Sequence, residues 1–194
     1  NTVSLGGKPL IQWTIDASLK SKSILRTIVS TDDETIAEIS RNCGAEVPFI
    51  RPPELSGDDA PHIPVMVHSI EWLEKNWDLR AEYFVLLQPT SPLRNSEDID
   101  NAVGIAVNNS AESVVAVNET HDHPYLTKRL GQDGKLMDFM DDAHKSGSTS
   151  ARRQTFESAY VINGSIFINS RDMLLKQRTI ISESSFPYFM PRKI

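Results

Sequence analysis

Apolar residues recur at helical spacing near the start of the chain. Leu10, Ile11, Trp13, Ile15 and Leu19, with Thr14 among them, form one wide face. The spacing predicts a helix over residues 9–19, with Pro9 in the first turn and a turn at Gly6-Gly7 before it. A short apolar run at 26–30 predicts a strand. Thr31 or Asp32 then caps a helix over 33–42 that stops at Gly44, and a second strand follows over 46–50. Four prolines and Gly57 mark residues 51–64 as a loop, and Val67, Ile70, Trp72 and Leu73 predict an amphipathic helix over 65–77. Tyr83-Phe84-Val85-Leu86-Leu87 reads as a buried strand. It runs into a polar loop, Gln88 to Leu93, that is stiffened by two prolines and closed by Arg94. A helix from Ser96 to about Asn108 and a strand over 113–117 come next.

Strands and helices thus alternate through the first two-thirds. That pattern predicts an α/β fold, a largely parallel sheet flanked by helices. The pattern breaks at Asn118. Residues 118–159 are polar and contain His121, His123, His144 and the run Lys145-Ser-Gly-Ser-Thr-Ser150. A connection of that length in a compact domain reads as an excursion, a hairpin or arm that packs on a partner. A strand returns over 161–169, with Gly164 inside it. A short helix over 172–176 and a strand over 188–190 follow.

Composition narrows the class. A chain of 194 residues reads as a single domain that includes the excursion. No apolar run approaches the ~20 residues that span a membrane. A net charge of −6 argues against a general nucleic-acid surface, although a few local arginines can still hold a small anion. Cys43 is the only cysteine, so no internal disulfide forms; this fits a cytoplasmic location, and the thiol reads as a buried bystander.

In open α/β sheets, ligands bind just beyond the carboxyl ends of strands, which is where Gln88, Thr90 and Ser91 fall. Ser30-Thr31-Asp32-Asp33 is either a plain helix cap or an acidic pair beside a ligand. Arg51, on a proline-stiffened loop, offers a planar guanidinium for carbonyl or phosphate oxygens, or is a solvated surface group. His121 and His123 alternate as a strand's metal ligands would, but no third ligand has suitable spacing. Arg152-Arg153 either clamps an anion or forms a solvated basic turn, and Lys145 with the Ser/Gly tract nearby reads as either a mobile lid or simple disorder. No Ser-His-Asp order, CxxC pair, Walker lysine or GxGxxG is present. The residues alone therefore support a binder of a small polar, anionic ligand, either an enzyme or a sensor.

Five segments occur in an order that resembles one family. They are Gly7-Lys8-Pro9-Leu10-Ile11, Val29-Ser30-Thr31-Asp32-Asp33, residues 44–52 (GAEVPFIRP), residues 86–94 (LLQPTSPLR) and Asn163-Gly164-Ser165-Ile166-Phe167. Together they look like the acylneuraminate cytidylyltransferases, or CMP-sialic acid synthetases. The resemblance implies a Rossmann-like α/β nucleotidyltransferase fold and a homodimer whose excursion, residues 118–160, is the dimerisation arm. It also implies transfer of CMP from CTP to the anomeric hydroxyl of a nine-carbon 2-keto sugar acid, with Mg²⁺ as cofactor. Asn1 resembles the last residue of the family's phosphate loop. Arg51, Ala60 and His62 match nucleotide-binding positions. Gln88, Thr90 and Ser91 match the loop that contacts sugar and ribose, and Tyr160, Asn163 and Gly164 match the wall of the sugar pocket. Arg153 matches an arginine assigned to the sugar acid or to catalysis.

The sequence also departs from the family. The family's first strand with its Gly/Ser/Lys/Arg-rich phosphate loop would precede Asn1, and its Mg²⁺-binding Asp-x-Asp would follow Arg192. Neither is in this sequence. The expectation is therefore a fragment or incompletely represented chain, with no metal ligands of its own and little activity by itself. Val161 stands where a polar residue is common, and His62 where serine is frequent. Two other readings remain at this stage. One is a transferase for the eight-carbon acid Kdo or another nucleotidyl-sugar enzyme; the other is a non-catalytic binding module.

Overall fold

A computed structural model of the chain describes residues 1–57, 60–140 and 156–191. The chain opens with a minimal hairpin, β1 (Ser4–Leu5) and β2 (Lys8–Pro9). Its turn is Gly6-Gly7, both at positive φ (59° and 82°), the conformation a two-residue hairpin turn requires and L-residues avoid. Helix α1 (Leu10–Lys20) follows. Its first free N–H groups are taken up by the same opening segment, Leu10 N donating to Val3 O and Ile11 N to Asn1 O.

Helix α2 (Glu34–Asn42) is capped by neither Thr31 nor Asp32. Asp33 is the N-cap, accepting from Ile36 N, while Thr31 Oγ1 accepts from Asp33 N and so shapes the approach. The strands expected over 26–30 and 46–50 are reduced to two parallel bridges, Ile28 with Glu46 and Thr31 with Ile50. A 3-10 turn (Pro53–Leu55) sits in the loop beyond, and α3 (His62–Trp77) begins three residues earlier than expected. Pro64 does not delay it, because the first turn of a helix has no use for that N–H.

The main sheet has the order β3 (Tyr83–Leu86), β7 (Tyr160–Ser170), β4 (Ser113–Glu119), β8 (Phe186–Phe189). Strands β3, β4 and β8 run the same way, and β7 runs against them. The sheet is thus mixed, with one antiparallel strand inserted in a parallel set; alternation along a strand does not specify its partner's direction. Helix α4 (Ser96–Asn108) covers one face. It starts at Ser96 as expected, with Asn95 as N-cap in a capping box with Asp98. The period-two alternation sorts the core: Val114, Ala116, Ile166 and Ile168 join Ile99, Ala102 and Ala106 of α4, while Val115, Val117 and Phe167 point to the opposite face with Leu86 and Ile180. Burial on both faces explains the continuous apolar runs of β4 and β7.

Within the excursion, a 3-10 turn (Pro124–Leu126) leads to a separate hairpin, β5 (Lys128–Leu130) with β6 (Leu136–Asp138). The short helix expected over 172–176 is a π-helical turn, Met173–Gln177, and the last strand starts two residues earlier than expected.

Candidate active site

Register brings the predicted loop and the predicted pocket wall together. Leu86, the last residue of β3, pairs with Phe167 of β7, so the residues of β7 before 167 continue past the carboxyl end of β3. There β7 bulges: Val115 faces Phe167 but Val117 faces Ile162, which leaves residues 163–166 opposite the single residue Ala116. Bulges next to functional sites re-aim side chains and interrupt pairing. Gly164 sits in the bulge at φ +73°, and a Cβ there would lie 2.6 Å from Gln88 Oε1. The glycine therefore permits the close approach of the Gln88 side chain.

Gln88 also reaches the start of α3, its Nε2 lying 3.2 Å from His62 Nε2. An amide N–H can only donate, so the imidazole nitrogen is the acceptor. Ser91 N donates to Gln88 O and Arg94 N to Ser91 O, both at 3.3 Å, folding the loop back on itself. Thr90 is exposed at the tip and Ser91 is half-buried. Asn163 works inward: its Oδ1 accepts from Ser165 N and Oγ, and its Nδ2 donates to Asn118 Oδ1, clamping the bulge to β4. Tyr160 is exposed, its ring 5.0 Å from that of Phe189.

A second region lies past the ends of the two bridged segments. Asp32 and Arg51 follow Thr31 and Ile50 directly. With Ile50, Pro52, Pro53, Ser56 and Gly57 they line an open pocket of about 580 Å³. Arg51 donates to Asp32 Oδ1 at 3.0 Å, and this hydrogen bond from the guanidinium holds the Asp32 carboxyl below its usual range. Arg51 Nε is buried without a hydrogen-bond partner, as is Ser30 Oγ. A buried donor left unmatched costs stability, so an oxygen-bearing ligand suits this site. Gln88 and His62 are not part of the pocket lining. The chain connects the two regions: Ala60 N donates to Gly57 O at the pocket edge, and His62 follows two residues later.

Asn1 is exposed, and its backbone carbonyl is engaged by α1. Arg153, with Arg152 and the Lys145–Ser150 run, lies outside the described residues. His121 and His123 do not form a metal pair: His123 Nδ1 accepts from Tyr125 N, its Nε2 donates to Glu157 O, and its ring stacks on Phe156. Among the described residues no three His, Cys, Asp or Glu side chains come together as a metal site. Cys43 ends α2, half-buried among Val29, Ile36 and Ile39, and burial pushes its thiol pKa up, as an inert thiol's would be.

Sequence reasoning gave Arg94 only the end of the loop and left Asp32 between two readings. Arg94 is 3% exposed and binds three different segments, and Asp32 orients Arg51. The available signal for Arg94 was an arginine directly after a two-proline loop leaving a buried strand.

Known proteins resemble this chain in sequence and in fold. The chain is 32% identical over its whole length to an N-acylneuraminate cytidylyltransferase of Streptococcus agalactiae, and spans 45% of that relative, about half its length. It is 30% identical over 98% of its length to a CMP-N,N'-diacetyllegionaminic acid synthase of Legionella pneumophila, covering 79% of that protein. A solved structure of a CMP:2-keto-3-deoxy-manno-octonic acid synthetase complexed with CTP matches the fold over 97% of this chain and 83% of its own. Its TM-score is 0.66 at 12% identity, a likeness of fold alone. The profile of the cytidylyltransferase family matches residues 1–181, and the chain belongs to that family.

Proposed function

We propose that this chain carries the nucleotide and sugar-acid side of an enzyme that transfers CMP from CTP to the anomeric hydroxyl of a nine-carbon 2-keto sugar acid, releasing pyrophosphate. The observation that carries the reading is Gln88. One side chain touches His62, from the group expected to hold the nucleotide, and Gly164, from the group expected to line the sugar pocket. Arg51, with its unmatched Nε and its carboxylate partner Asp32, supports a nucleotide on the pocket side. The names of the Streptococcus and Legionella relatives support a nonulosonic acid as acceptor.

In this reading the anomeric oxygen attacks the α-phosphorus in line. The new sugar–phosphorus ester forms as the bond to the bridging oxygen breaks, pyrophosphate departs with that electron pair, and the hydroxyl proton passes to solvent. Positioning and charge neutralisation dominate such a step. Gln88, Thr90 and Ser91 orient the sugar, Arg51 with Ala60 and His62 holds the nucleotide, and Arg153 serves the sugar acid or the catalytic step. Mg²⁺ comes with CTP as the triphosphate's counter-ion. A homodimer formed through the arm and a cytoplasmic location complete the proposal; no helix among the described residues is long and apolar enough to cross a membrane.

The test is pyrophosphate release by the full-length protein with CTP, Mg²⁺ and a panel of nonulosonic acids, with Kdo alongside. Release with at least one nonulosonate is expected. No release with any substrate overturns the reading, and preferential use of Kdo replaces its acceptor.

A further inference from the structure

Arg94 is the most deeply buried cation of the site region, 3% exposed. Its Nη1 donates to the main-chain carbonyls of Gln88 at 3.2 Å and Ser165 at 2.7 Å, and its Nη2 to Thr14 Oγ1 at 2.6 Å. One planar group thus joins the loop after β3, the bulge of β7 and helix α1. The two carbonyls belong to the segments that meet where Gln88 approaches Gly164. Burial is costly for this cation: it lowers the guanidinium pKa to about 10, with nearby Asp98 acting in the opposite sense, and Nε has no hydrogen-bond partner. An apolar side chain would fill the same space without that cost. What it could not do is fix two carbonyls and a hydroxyl at set distances, which the rigid fork of a guanidinium does and a point-like ammonium does not.

We propose that Arg94 is a positioning residue that sets the sugar-acid side of the site, holding the Gln88 loop against the Gly164 bulge so that the Gln88 side chain meets its ligand at one geometry. The inference rests on the reading that Gln88 and Gly164 face the sugar acid. Arg94 touches neither substrate; it acts through the backbone of residues 88 and 165.

The test compares Arg94→Lys, Thr14→Val and Gln88→Ala in the full-length protein, with KM measured separately for CTP and the sugar acid and the melting temperature recorded for each. Misplacement of a binding group by an ångström is felt strongly, so Arg94→Lys is expected to raise the sugar-acid KM about tenfold or more while CTP KM stays within about twofold. Gln88→Ala should raise the same KM, and combining it with Arg94→Lys should add little. A purely structural arginine would instead lower the melting temperature or the active fraction while leaving both KM values alone. That result, or an equal rise in both KM values, overturns the proposal while the Gln88 effect leaves the functional reading standing. If Gln88→Ala does not change the sugar-acid KM, the functional reading fails and the proposal fails with it. Should Arg94→Lys not fold, Thr14→Val decides, because it removes one leg with little change of volume: a rise of about threefold in sugar-acid KM, on the same misplacement argument, supports the proposal, and an unchanged KM overturns it.

Discussion

A methyl group at position 164 would collide with Gln88. Alanine there must adopt a φ of +73°, which costs an L-residue about 1–2 kcal/mol, and must also displace an amide oxygen 2.6 Å from the new carbon. Gly164→Ala is therefore expected to destabilise the protein by about 1–2 kcal/mol from strain alone, plus a contribution from the contact. In a Gln88→Ala background the contact disappears and the strain stays, so the double variant should be more stable than the sum of the singles. Denaturant midpoints for the four proteins measure this. A Gly164→Ala protein as stable as wild type would show that the backbone at 164 is not held at positive φ. Gly164 was legible as a site position only through the family resemblance. The alternation of β7 marks a glycine in a strand, but the register jump that turns it outward depends on β4, about fifty residues away in sequence. Arg94 was obscured for a related reason: its partners are two carbonyls and a hydroxyl, and carbonyls leave no trace in residue identity.

At the scale of elements, α3 carries His62 at one end and is tied down at the other by Arg171. The guanidinium donates to both oxygens of Glu74, Nε at 2.5 Å and Nη2 at 2.9 Å, bridging the helix to the end of β7. That hydrogen-bonded contact holds the Glu74 carboxyl below its usual range and raises the Arg171 pKa. The sign follows from linkage. A carboxyl whose folded pKa is depressed adds stability above its unfolded value, about 4.3, and loses it as pH falls through the folded value. Glu74→Gln should therefore lower the melting temperature by a few degrees near neutral pH, and the difference from wild type should shrink as pH drops below about 4. A difference that is constant across that range would mean that the pair contributes no charge-dependent stability. Helices α1, α2 and α4 were readable because their signals, the apolar face of α1 and the Gly44 stop of α2 among them, lie within one segment. The sheet was less so. Strand existence follows from local pattern, but the antiparallel entry of β7 and the thinning of the two early strands to single bridges depend on neighbours that a linear pattern does not name.

At the scale of the molecule, the described residues include an apolar surface that is left uncovered. Among the described residues hairpin β5–β6 forms a two-stranded sheet of its own, and its facing leucines, Leu130 and Leu136, are 73% and 75% exposed. Leu126, Met137 and Phe139 are also exposed, as are Tyr160, Val161, Ile162 and Phe189 on β7 and β8. An isolated two-stranded hairpin is marginal in water, and exposed leucines facing each other across it suit a contact surface. A second copy of the chain is a suitable cover, since a two-fold axis lets one patch serve both sides. The full-length protein is accordingly expected to run as a dimer in light scattering. Leu130→Asp combined with Leu136→Asp should shift it to a monomer, because two buried carboxylates opposite each other in such an interface are far costlier than the exposed leucines they replace. Far-UV circular dichroism should stay native, since neither leucine contributes to the main core. A wild-type monomer, or a double variant that remains dimeric, would assign this surface to a different partner and remove the arm from the dimer.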